Sequence, residues 1–435
     1  MIDSLIRICF PAACVTMFAT HLSASTNTNC LEIVELTPDP SFVSSGMNDQ
    51  GMIVGTWNNQ MAVHVDGQLE VITTLQQSEG GVINESGQAV GTGSVGVGLD
   101  DRLIRRNADG SVQIIAIVTG SGGWSYLTGM NESGSIVGNY SKGSGSSQWT
   151  AFMWTEDAGL EFIAPDLDFS YLTAIDADGR ACGYVQGNEI FTAATWTDGV
   201  MTTYEHLQDM DGFSRAVAFA DDGRILMSAR PDDAFIYFWY DQQSGERQDV
   251  HEFPSQSFSI LNTVSGNGNV AFSWRDGSGT PHAGRWTPES GFEQFTFDPL
   301  ETITFDATGI NDDGLVIGTT FDSPLFTRRA KIWRPSTLPT TLETGIETIF
   351  DSSVARFINR SGQIQVDTTF AILLLDPRCL GDVDGDGAVG VEDLLQVVAD
   401  WGTDGDGPCG SDGNDDGTVG VDDLLDVIAN WNGCG

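Results

Sequence analysis

Two segments near the C-terminus place carboxylates at a spacing that suits a divalent cation. Their sequences are "GDVDGDGAVGVEDLLQVVADW" (381–401) and "SDGNDDGTVGVDDLLDVIANW" (411–431), at an offset of 30 residues. Oxygen-bearing side chains stand at loop positions 1, 3, 5 and 12, and glycine stands at position 6. A hard cation such as Ca²⁺ needs six or more oxygen ligands, and the glycine permits the sharp turn of the loop. The sequence therefore predicts two Ca²⁺ ions.

Each predicted calcium loop supplies four side chains and the backbone carbonyl at position 7. The two ligand sets are Asp382, Asp384, Asp386, Ala388 and Asp393 in the first loop, and Asp412, Asn414, Asp416, Thr418 and Asp423 in the second. Position 9 is glycine in both loops, so a water molecule should complete the coordination. An acidic tail that is merely solvated would not need two copies of the loop with oxygen-bearing residues at the same positions.

Each loop continues into a predicted helix, because apolar residues recur there at helical spacing. They are Val391, Leu394, Leu395, Val398 and Trp401 in the first helix, and Val421, Leu424, Leu425, Ile428 and Trp431 in the second. No helix is predicted before either loop, so each unit is half of an EF-hand. Helices of about ten residues are marginal alone, so folding is predicted to depend on calcium.

With aspartate at position 12 of each loop, residues 379–435 resemble the type I dockerin module. The resemblance implies calcium-dependent folding and docking onto a cohesin-like protein or another cell-surface component. In that family, loop positions 10 and 11 face the partner and often carry hydroxyls. Here these positions are Val391, Glu392, Val421 and Asp422, so they depart from the family pattern.

A repeated phrase organises the preceding part of the chain. "GINDDGLVIG" (309–318) has close relatives, such as "GMNDQGMIVG" (46–55) and "GMNESGSIVG" (129–138). Its turn glycines are Gly51, Gly87, Gly134, Gly179, Gly223, Gly268, Gly314 and Gly362, spaced by 36 to 48 residues. A period near 45 residues is typical of a four-stranded propeller blade. The Asn or Asp side chain can bond its own turn, and the glycine supplies the positive φ.

Each hairpin is followed by a strand ending in tryptophan and then by an outer strand. The strand "LEIVEL" (31–36) stands alone at the start, and the last repeat (357–377) lacks its fourth strand. The sequence therefore predicts a mainly β, eight-bladed propeller over 26–377, closed by the N-terminal strand. Seven blades remain an alternative if the short first spacing marks an irregular pair. A small α-helical module is predicted over 378–435.

The hairpin phrase, with "G-x-x-V-G" and "A-F-x-W", resembles the extracellular HAF repeat family of bacterial secreted proteins. The resemblance covers about residues 31–377. It implies an exported β-repeat domain and assigns no catalytic residue.

Composition limits the partners. The formal net charge is −42, and the chain contains two lysines. This charge repels nucleic acid and anionic lipid. Residues 1–25 read as a secretory signal peptide, and the longest later apolar run, "FAILLL", is too short to span a membrane. We expect an extracellular or cell-surface protein of a bacterium.

Five cysteines follow the predicted signal peptide. Cys182 lies within a predicted strand and is expected to be a buried free thiol. The predicted pairs are Cys30 with Cys379, and Cys409 with Cys434. A bond between Cys379 and Cys434 is the main alternative.

The search for a catalytic motif is negative. The chain contains no G-x-S-x-G elbow, and the histidines are scattered singly. These features favour an exported, non-catalytic binding or scaffold propeller, assembled or tethered through its calcium module, with polysaccharide as a possible ligand. The alternative is a polysaccharide-degrading hydrolase or lyase of a cellulosome-like system. It needs a facing carboxylate pair, which the sequence does not nominate.

Overall fold

The computed structural model divides the chain into two compact units. One comprises residues 32–342 and 348–376, and the other comprises 1–31, 343–347 and 377–435. The structure describes residues 5–10, 13–18, 31–37, 41–65, 67–94, 100–118, 124–141, 148–187, 190–204, 213–230, 235–253, 258–295, 305–322, 327–333, 340–342, 352–369, 371–377, 381, 383, 389–403, 405, 411–412, 418–429 and 431.

Alternating strands and tight turns build eight four-stranded sheets, which confirms the predicted eight-bladed propeller. Strands β1 (Leu5–Phe10) and β2 (Ala13–Phe18) form a separate antiparallel hairpin, and β3 (Leu31–Thr37) follows.
Blades 1 and 2 contain β4 (Phe42–Met47), β5 (Ile53–Trp57), β6 (Gln60–Val65), β7 (Gln68–Val71), β8 (Gln77–Ile83), β9 (Ala89–Ser94), β10 (Arg102–Arg106) and β11 (Val112–Ile117).
Blades 3 and 4 contain β12 (Trp124–Met130), β13 (Ile136–Ser141), β14 (Trp149–Thr155), β15 (Gly159–Ile163), β16 (Phe169–Ile175), β17 (Ala181–Gly187), β18 (Ile190–Thr197) and β19 (Val200–Thr203).

The second half of the ring continues the pattern. Blades 5 and 6 contain β20 (Ser214–Phe219), β21 (Ile225–Ala229), β22 (Phe235–Tyr240), β23 (Arg247–Phe253), β24 (Phe258–Val264), β25 (Val270–Arg275), β26 (Pro281–Thr287) and β27 (Gly291–Gln294).
Blades 7 and 8 contain β28 (Phe305–Ile310), β29 (Val316–Asp322), β30 (Thr327–Trp333), β31 (Thr340–Thr341), β32 (Ser353–Ile358), β33 (Ile364–Thr368) and β34 (Ile372–Pro377).

The ring closes through β3. This strand pairs with β34, so the eighth sheet has the order β3–β34–β33–β32. The isolated N-terminal strand thus completes the last blade, as the sequence predicts, and covers an otherwise open sheet edge. The short first spacing does not mark a missing blade. Blade 1 is compact, with β5 and β6 joined by a two-residue turn in which Asn58 and Asn59 have φ of 50° and 61°.

Aromatic side chains fill the spaces between blades. The predicted strand-ending tryptophans Trp154, Trp196, Trp239, Trp286 and Trp333 are all at most 5% exposed. Trp154 and Phe152 of blade 3, for example, pack against Val90 and Leu103 of blade 2. First strands of neighbouring blades also contact each other, as β4 contacts β8 and β12 contacts β16. The first strand of each blade therefore lies nearest the propeller axis.

The repeated phrase is the turn between the first and second strands of each blade. All eight turn glycines have positive φ, between 73° and 93°. The asparagine Oδ1 accepts a hydrogen bond from the backbone N–H four residues later, at 2.9 Å from Met52 to Asn48 and 2.8 Å from Gln363 to Asn359. The backbone N–H two residues along also donates to this oxygen, at 3.2 Å from Gln50 to Asn48, so the side chain bonds its own turn as the sequence predicts.

The other end of the same amide joins neighbouring blades. Nδ2 donates to the backbone carbonyl of the equivalent residue in the next blade, from Asn48 to Asn84 at 3.0 Å and from Asn84 to Asn131 at 3.1 Å. Asn131 donates in the same way to Asp176, at 3.0 Å. Asn359 of blade 8 donates to Asn48 of blade 1 at 3.1 Å, across 311 residues of sequence. The amide therefore links the last blade to the first.

Blade 4 replaces the asparagine with Asp176, which has no amide donor. Its carboxylate accepts from the backbone N–H of Arg180 at 2.8 Å and from the Arg180 Nε at 2.6 Å. The Arg180 guanidinium then donates to the carbonyl of Gly223 in blade 5, at 3.1 Å. An arginine thus supplies the link between blades that the aspartate cannot make.

The inter-blade amide bond should contribute measurably to stability. Asn359→Asp keeps the acceptor for its own turn, but it removes the donor to Asn48 and buries a charge. We expect the free energy of unfolding to fall by about 1–3 kcal/mol. Asn107→Asp is the matched control, because Asn107 bonds only within its own outer hairpin. Urea unfolding followed by tryptophan fluorescence measures both changes, and equal midpoints for the two variants would contradict this role.

A buried histidine makes ring closure sensitive to acid. His64 of β6 is 2% exposed, and its Nε2 lies 3.1 Å from the carbonyl oxygen of Leu36 in β3. Burial lowers the pKa of His64 below its ordinary value of 6.5, although the Leu36 bond opposes this shift. Below that ordinary value the unfolded chain binds a proton that the folded chain resists, so stability falls as pH decreases.

We expect His64→Gln to flatten this acid dependence. In the wild-type chain, each unit of pKa lowering corresponds to about 1.4 kcal/mol of stability lost on acidification. Melting temperatures measured from pH 7.5 to pH 5 should therefore fall less steeply in the variant. His251 also has a pKa lowered by burial and contributes in the same direction. His282→Gln is the control, and an effect as large as that of His64→Gln would refute this assignment.

Candidate functional site

The C-terminal unit contains the two predicted helices, α1 (Val391–Ala399) and α2 (Val421–Ala429). Four predicted calcium ligands lie among the described residues, namely Asp393, Asp412, Thr418 and Asp423. The other predicted ligands and the disulfide candidates lie outside them: Asp382, Asp384, Asp386, Ala388, Asn414, Asp416, Cys30, Cys379, Cys409 and Cys434. Both helices begin at position 10 of their loops.

The position-12 carboxylates fold back onto their own loops. Asp393 accepts hydrogen bonds from the backbone N–H groups of Val383 and Gly390, both at 2.7 Å. Asp423 accepts from the N–H of Gly420 at the same distance. Each aspartate stands in the first turn of its helix, where a carboxylate also interacts favourably with the helix dipole. These bonds fix both ends of the first loop, and the C-terminal end of the second loop, to the helix that follows.

The electrostatics of this unit favour a cation. Asp393, Asp412 and Asp423 are 1%, 7% and 2% exposed. Residues 379–435 contain 14 acidic residues and neither lysine nor arginine. A buried carboxylate is costly unless a cation or several hydrogen bonds compensate for its lost hydration. The donor set therefore fits Ca²⁺, although the described residues include no cluster of three or more Asp, Glu, His or Cys close enough to hold a metal.

The two helices pack through only part of their apolar residues. Leu394, Val397, Leu424 and Val427 lie in a small core with Val383, Val389 and Val419. The remaining apolar side chains, each 38–59% exposed, form what we call the apolar helix face: Val391, Leu395, Val398, Trp401, Val421, Leu425, Ile428 and Trp431. The predicted apolar stripe is thus divided between a core and a surface. The predicted partner-facing residues Val391 and Val421 lie on this face, and Glu392 and Asp422 beside them are exposed.

The repeated turns carry a set of acidic residues that sequence reasoning missed. Each follows the turn Asn and accepts from the backbone N–H of the preceding blade. Arg360 N–H donates to Asp49 at 2.9 Å, Asp49 N–H to Glu85 at 2.8 Å, and Glu85 N–H to Glu132 at 2.7 Å. The sequence does contain a signal for these contacts, because an acidic residue directly follows Asn in the repeated phrase. These carboxylates link blades, which is typical of a structural role.

Arg360 extends this network. Its guanidinium lies 2.6 Å from Asp221 of blade 5 and 3.4 Å from Asp312 of blade 7. One side chain of blade 8 therefore contacts two other blades at the turn end of the propeller. Partial burial raises the pKa of Glu85, and the carboxylates of Asp49 and Glu132 raise it further. Arg360 offsets part of this crowding of negative charge.

Cys182 is buried and free, as the sequence predicts. It is 0% exposed, and burial raises the pKa of its thiol to about 12. A thiol in this state is a poor nucleophile, because the thiolate is the reactive form. Cys182 is therefore a packing residue of blade 4.

No described helix is long and apolar enough to cross a membrane. The chain matches no protein-family model, and no curated protein matches its sequence. Solved structures show a distant likeness. A virginiamycin B lyase from Staphylococcus aureus is 12% identical, with a TM-score of 0.41, over 80% of this chain and 98% of that one.

Two further likenesses involve peptidases. A prolyl endopeptidase structure is 11% identical, with a TM-score of 0.49, over 78% of this chain and 54% of that one. The β-propeller domain of the trilobed protease from Pyrococcus furiosus is 12% identical, with a TM-score of 0.46, over 71% of this chain and 99% of that domain. At such identities the likeness concerns architecture, and the activities of those proteins are not transferred to this chain.

Proposed function

We propose that this chain is an exported, non-catalytic binding propeller that is assembled onto a partner protein through a calcium-folded, dockerin-like module. The observation that carries the proposal is the duplicated apolar helix face, in a segment whose sequence has 14 acidic residues and neither lysine nor arginine. Residues 1–25 would direct export to the cell surface or the medium.

Calcium would complete the module. Asp393 and Asp423 would contribute carboxylate oxygens from position 12, and Asp412 and Thr418 would contribute from positions 1 and 7 of the second loop. The remaining predicted ligands would complete both sets of oxygen atoms. Positive charge among the carboxylates removes their mutual repulsion, so the free energy of binding adds to that of folding.

The apolar helix face would be the docking surface. Exposed apolar patches of this kind mark interaction sites, and the two helices present equivalent side chains. Trp401 and Trp431 offer the large aromatic surface on which interfaces commonly depend. Glu392 and Asp422 border this face, so a matching partner carries basic side chains at its rim. A cohesin-like protein has the appropriate role in the family that the module resembles.

The propeller is proposed to bind rather than to catalyse. The turn-end carboxylates Asp49, Glu85 and Glu132 are held by backbone N–H groups, and Asp221 by Arg360. A glycan-degrading enzyme is the alternative, and it requires two carboxylates facing each other about 5–10 Å apart. Release of reducing ends from polysaccharides by the full-length chain would reverse this preference.

Isothermal titration calorimetry of the full-length chain, after removal of metal, tests the calcium sites. We expect two Ca²⁺ ions for the wild-type chain and one for Asp423→Asn, because the isosteric amide removes a charged oxygen ligand. Asp422→Asn is the matched control, since this neighbouring acid is exposed and is not a predicted ligand. An identical stoichiometry for all three chains would exclude the proposed ligand set.

Docking is tested with a type I cohesin as the probe. We expect the wild-type chain to bind it in calcium and to release it in chelator. Leu395→Asp combined with Leu425→Asp should weaken binding at least tenfold, since it places a charge on each half of the apolar helix face. Val200→Asp, at an equally exposed valine of the propeller, should leave binding unchanged. A complex that tolerates both leucine substitutions would rule out this face.

A further inference from the structure

A band of aromatic side chains lies at the end of the propeller opposite the repeated turns. It begins at the N-terminal ends of the first strands of blades 3 to 5, whereas the turns follow the C-terminal ends of these strands. We call the aromatic band Trp124, Tyr126, Trp149, Tyr171, Tyr184 and Phe213. Ring centroids lie 5.5 Å apart for Tyr126 and Trp149, 6.0 Å for Trp149 and Tyr171, and 5.4 Å for Tyr171 and Tyr184.

The band offers ring faces to solvent. Trp124 is 63% exposed and Tyr126 is 51% exposed. Trp124 and Trp149 both pair with Ser141, from opposite sides of β13, so their side chains share one face of blade 3. Large aromatic side chains left half exposed in neighbouring positions are unusual on a surface without a binding role.

The repeats themselves show that folding does not require these aromatics. Tyr126 and Tyr171 each stand eight residues before the turn glycine of their blade. The same position holds Val43, Glu79, Arg215, Asp306 and Val354 in blades 1, 2, 5, 7 and 8, and each of these is at least partly exposed. Valine, acid and arginine are therefore all compatible with the blade. The aromatic residues of blades 3 and 4 must serve another purpose.

Arg215 extends the band with hydrogen-bond donors. Its guanidinium lies 4.6 Å from the ring centroid of Tyr184 and 4.4 Å from that of Phe213. Its Nε is buried and has no hydrogen-bond partner, and Arg215 forms no ion pair with any described residue. Arg105, Arg106 and Arg285, in contrast, each bind a glutamate. Since a buried donor without an acceptor is destabilising, Arg215 is suited to a ligand oxygen.

We propose that the aromatic band binds a neutral polysaccharide. The C–H faces of pyranose rings would stack on the exposed aromatic faces, as apolar groups pack on aromatic side chains. Sugar oxygens would accept hydrogen bonds from Arg215 and from the tyrosine hydroxyls. This inference rests on the proposed binding function of the propeller and names its ligand class.

Charge decides against an anionic polysaccharide. The net charge of the chain is −42, and the exposed Glu79 and Asp306 occupy the same strand position as Tyr126 in blades 2 and 7. Carboxylates at this end of the propeller repel a polyanion, whereas they accept hydrogen bonds from the hydroxyls of a neutral sugar.

Affinity electrophoresis of the full-length chain in gels containing hydroxyethylcellulose, xylan or glucomannan tests the proposal. We expect at least one of these polymers to retard the chain, and chelator to leave that retardation unchanged. Trp124→Ala and Tyr126→Ala should each weaken binding by about tenfold, as expected for the loss of one stacked ring. Arg215→Lys should weaken binding as well, because lysine lacks the planar set of donors.

Val43→Ala is the matched control, since it changes the same strand position in blade 1, outside the band. Equal losses for Val43→Ala and Tyr126→Ala, or no retardation by any neutral polymer, would overturn the proposal. Stronger binding to polygalacturonate than to the neutral polymers would overturn the proposal that the ligand is neutral. Displacement of the bound polymer by a polyproline peptide would assign the aromatic band to peptide recognition instead. Hydrolysis of the bound polymer would leave the band in place and refute the non-catalytic function.

Discussion

Side-chain hydrogen bonds from one blade to the next are the interaction on which the ring depends, and the turn asparagine provides them in blades 1, 2, 3 and 8. Within a blade, backbone hydrogen bonds hold the strands, whereas the described residues of neighbouring blades share a single isolated β-bridge, between Phe191 and Phe213. The amide has an acceptor end and a donor end, so one side chain can close its own turn and bind the next blade. Asn359 shows both functions, because it accepts from Gln363 and donates to Asn48 of blade 1. Aspartate cannot do both, which explains why blade 4 adds Arg180 to Asp176.

This constraint separates the two ends of the propeller. The turn end is occupied by contacts between blades, including the amides, the carboxylates that bind backbone N–H groups, and Arg360. A substitution there disturbs a neighbouring blade as well as its own. Blades are also linked at the opposite end, where the Oγ atoms of Ser170 and Ser214 accept from backbone N–H groups of the preceding blade, but the next strand position holds Val43, Glu79, Tyr126, Arg215 or Asp306 in different blades. A strand position that the fold leaves variable is therefore free to acquire the proposed ligand site.

Features that depend on local periodicity can be predicted from the sequence. Contacts between residues that are far apart in the sequence cannot. The blade period, the positive φ of Gly51 and its equivalents, and the buried Trp154 follow from short patterns. The bond from Asn359 to Asn48 does not, because its partners are 311 residues apart. The aromatic band is similar, since Trp149 and Tyr171 meet only after blades 3 and 4 pack. Periodicity also could not show that Leu395 is exposed while Leu394 lies in the core.

The two units counter the same electrostatic problem by different means. In the propeller, carboxylates are compensated within the chain, by backbone N–H groups at Glu85 and Glu132 and by arginines such as Arg360. Residues 379–435 contain no lysine or arginine, and backbone N–H groups donate hydrogen bonds to Asp393 and Asp423. Hydrogen bonds leave the net negative charge of this segment in place, and we propose that a bound cation offsets it. Under this proposal the folding of the helical module depends on the concentration of an external ion, whereas that of the propeller does not.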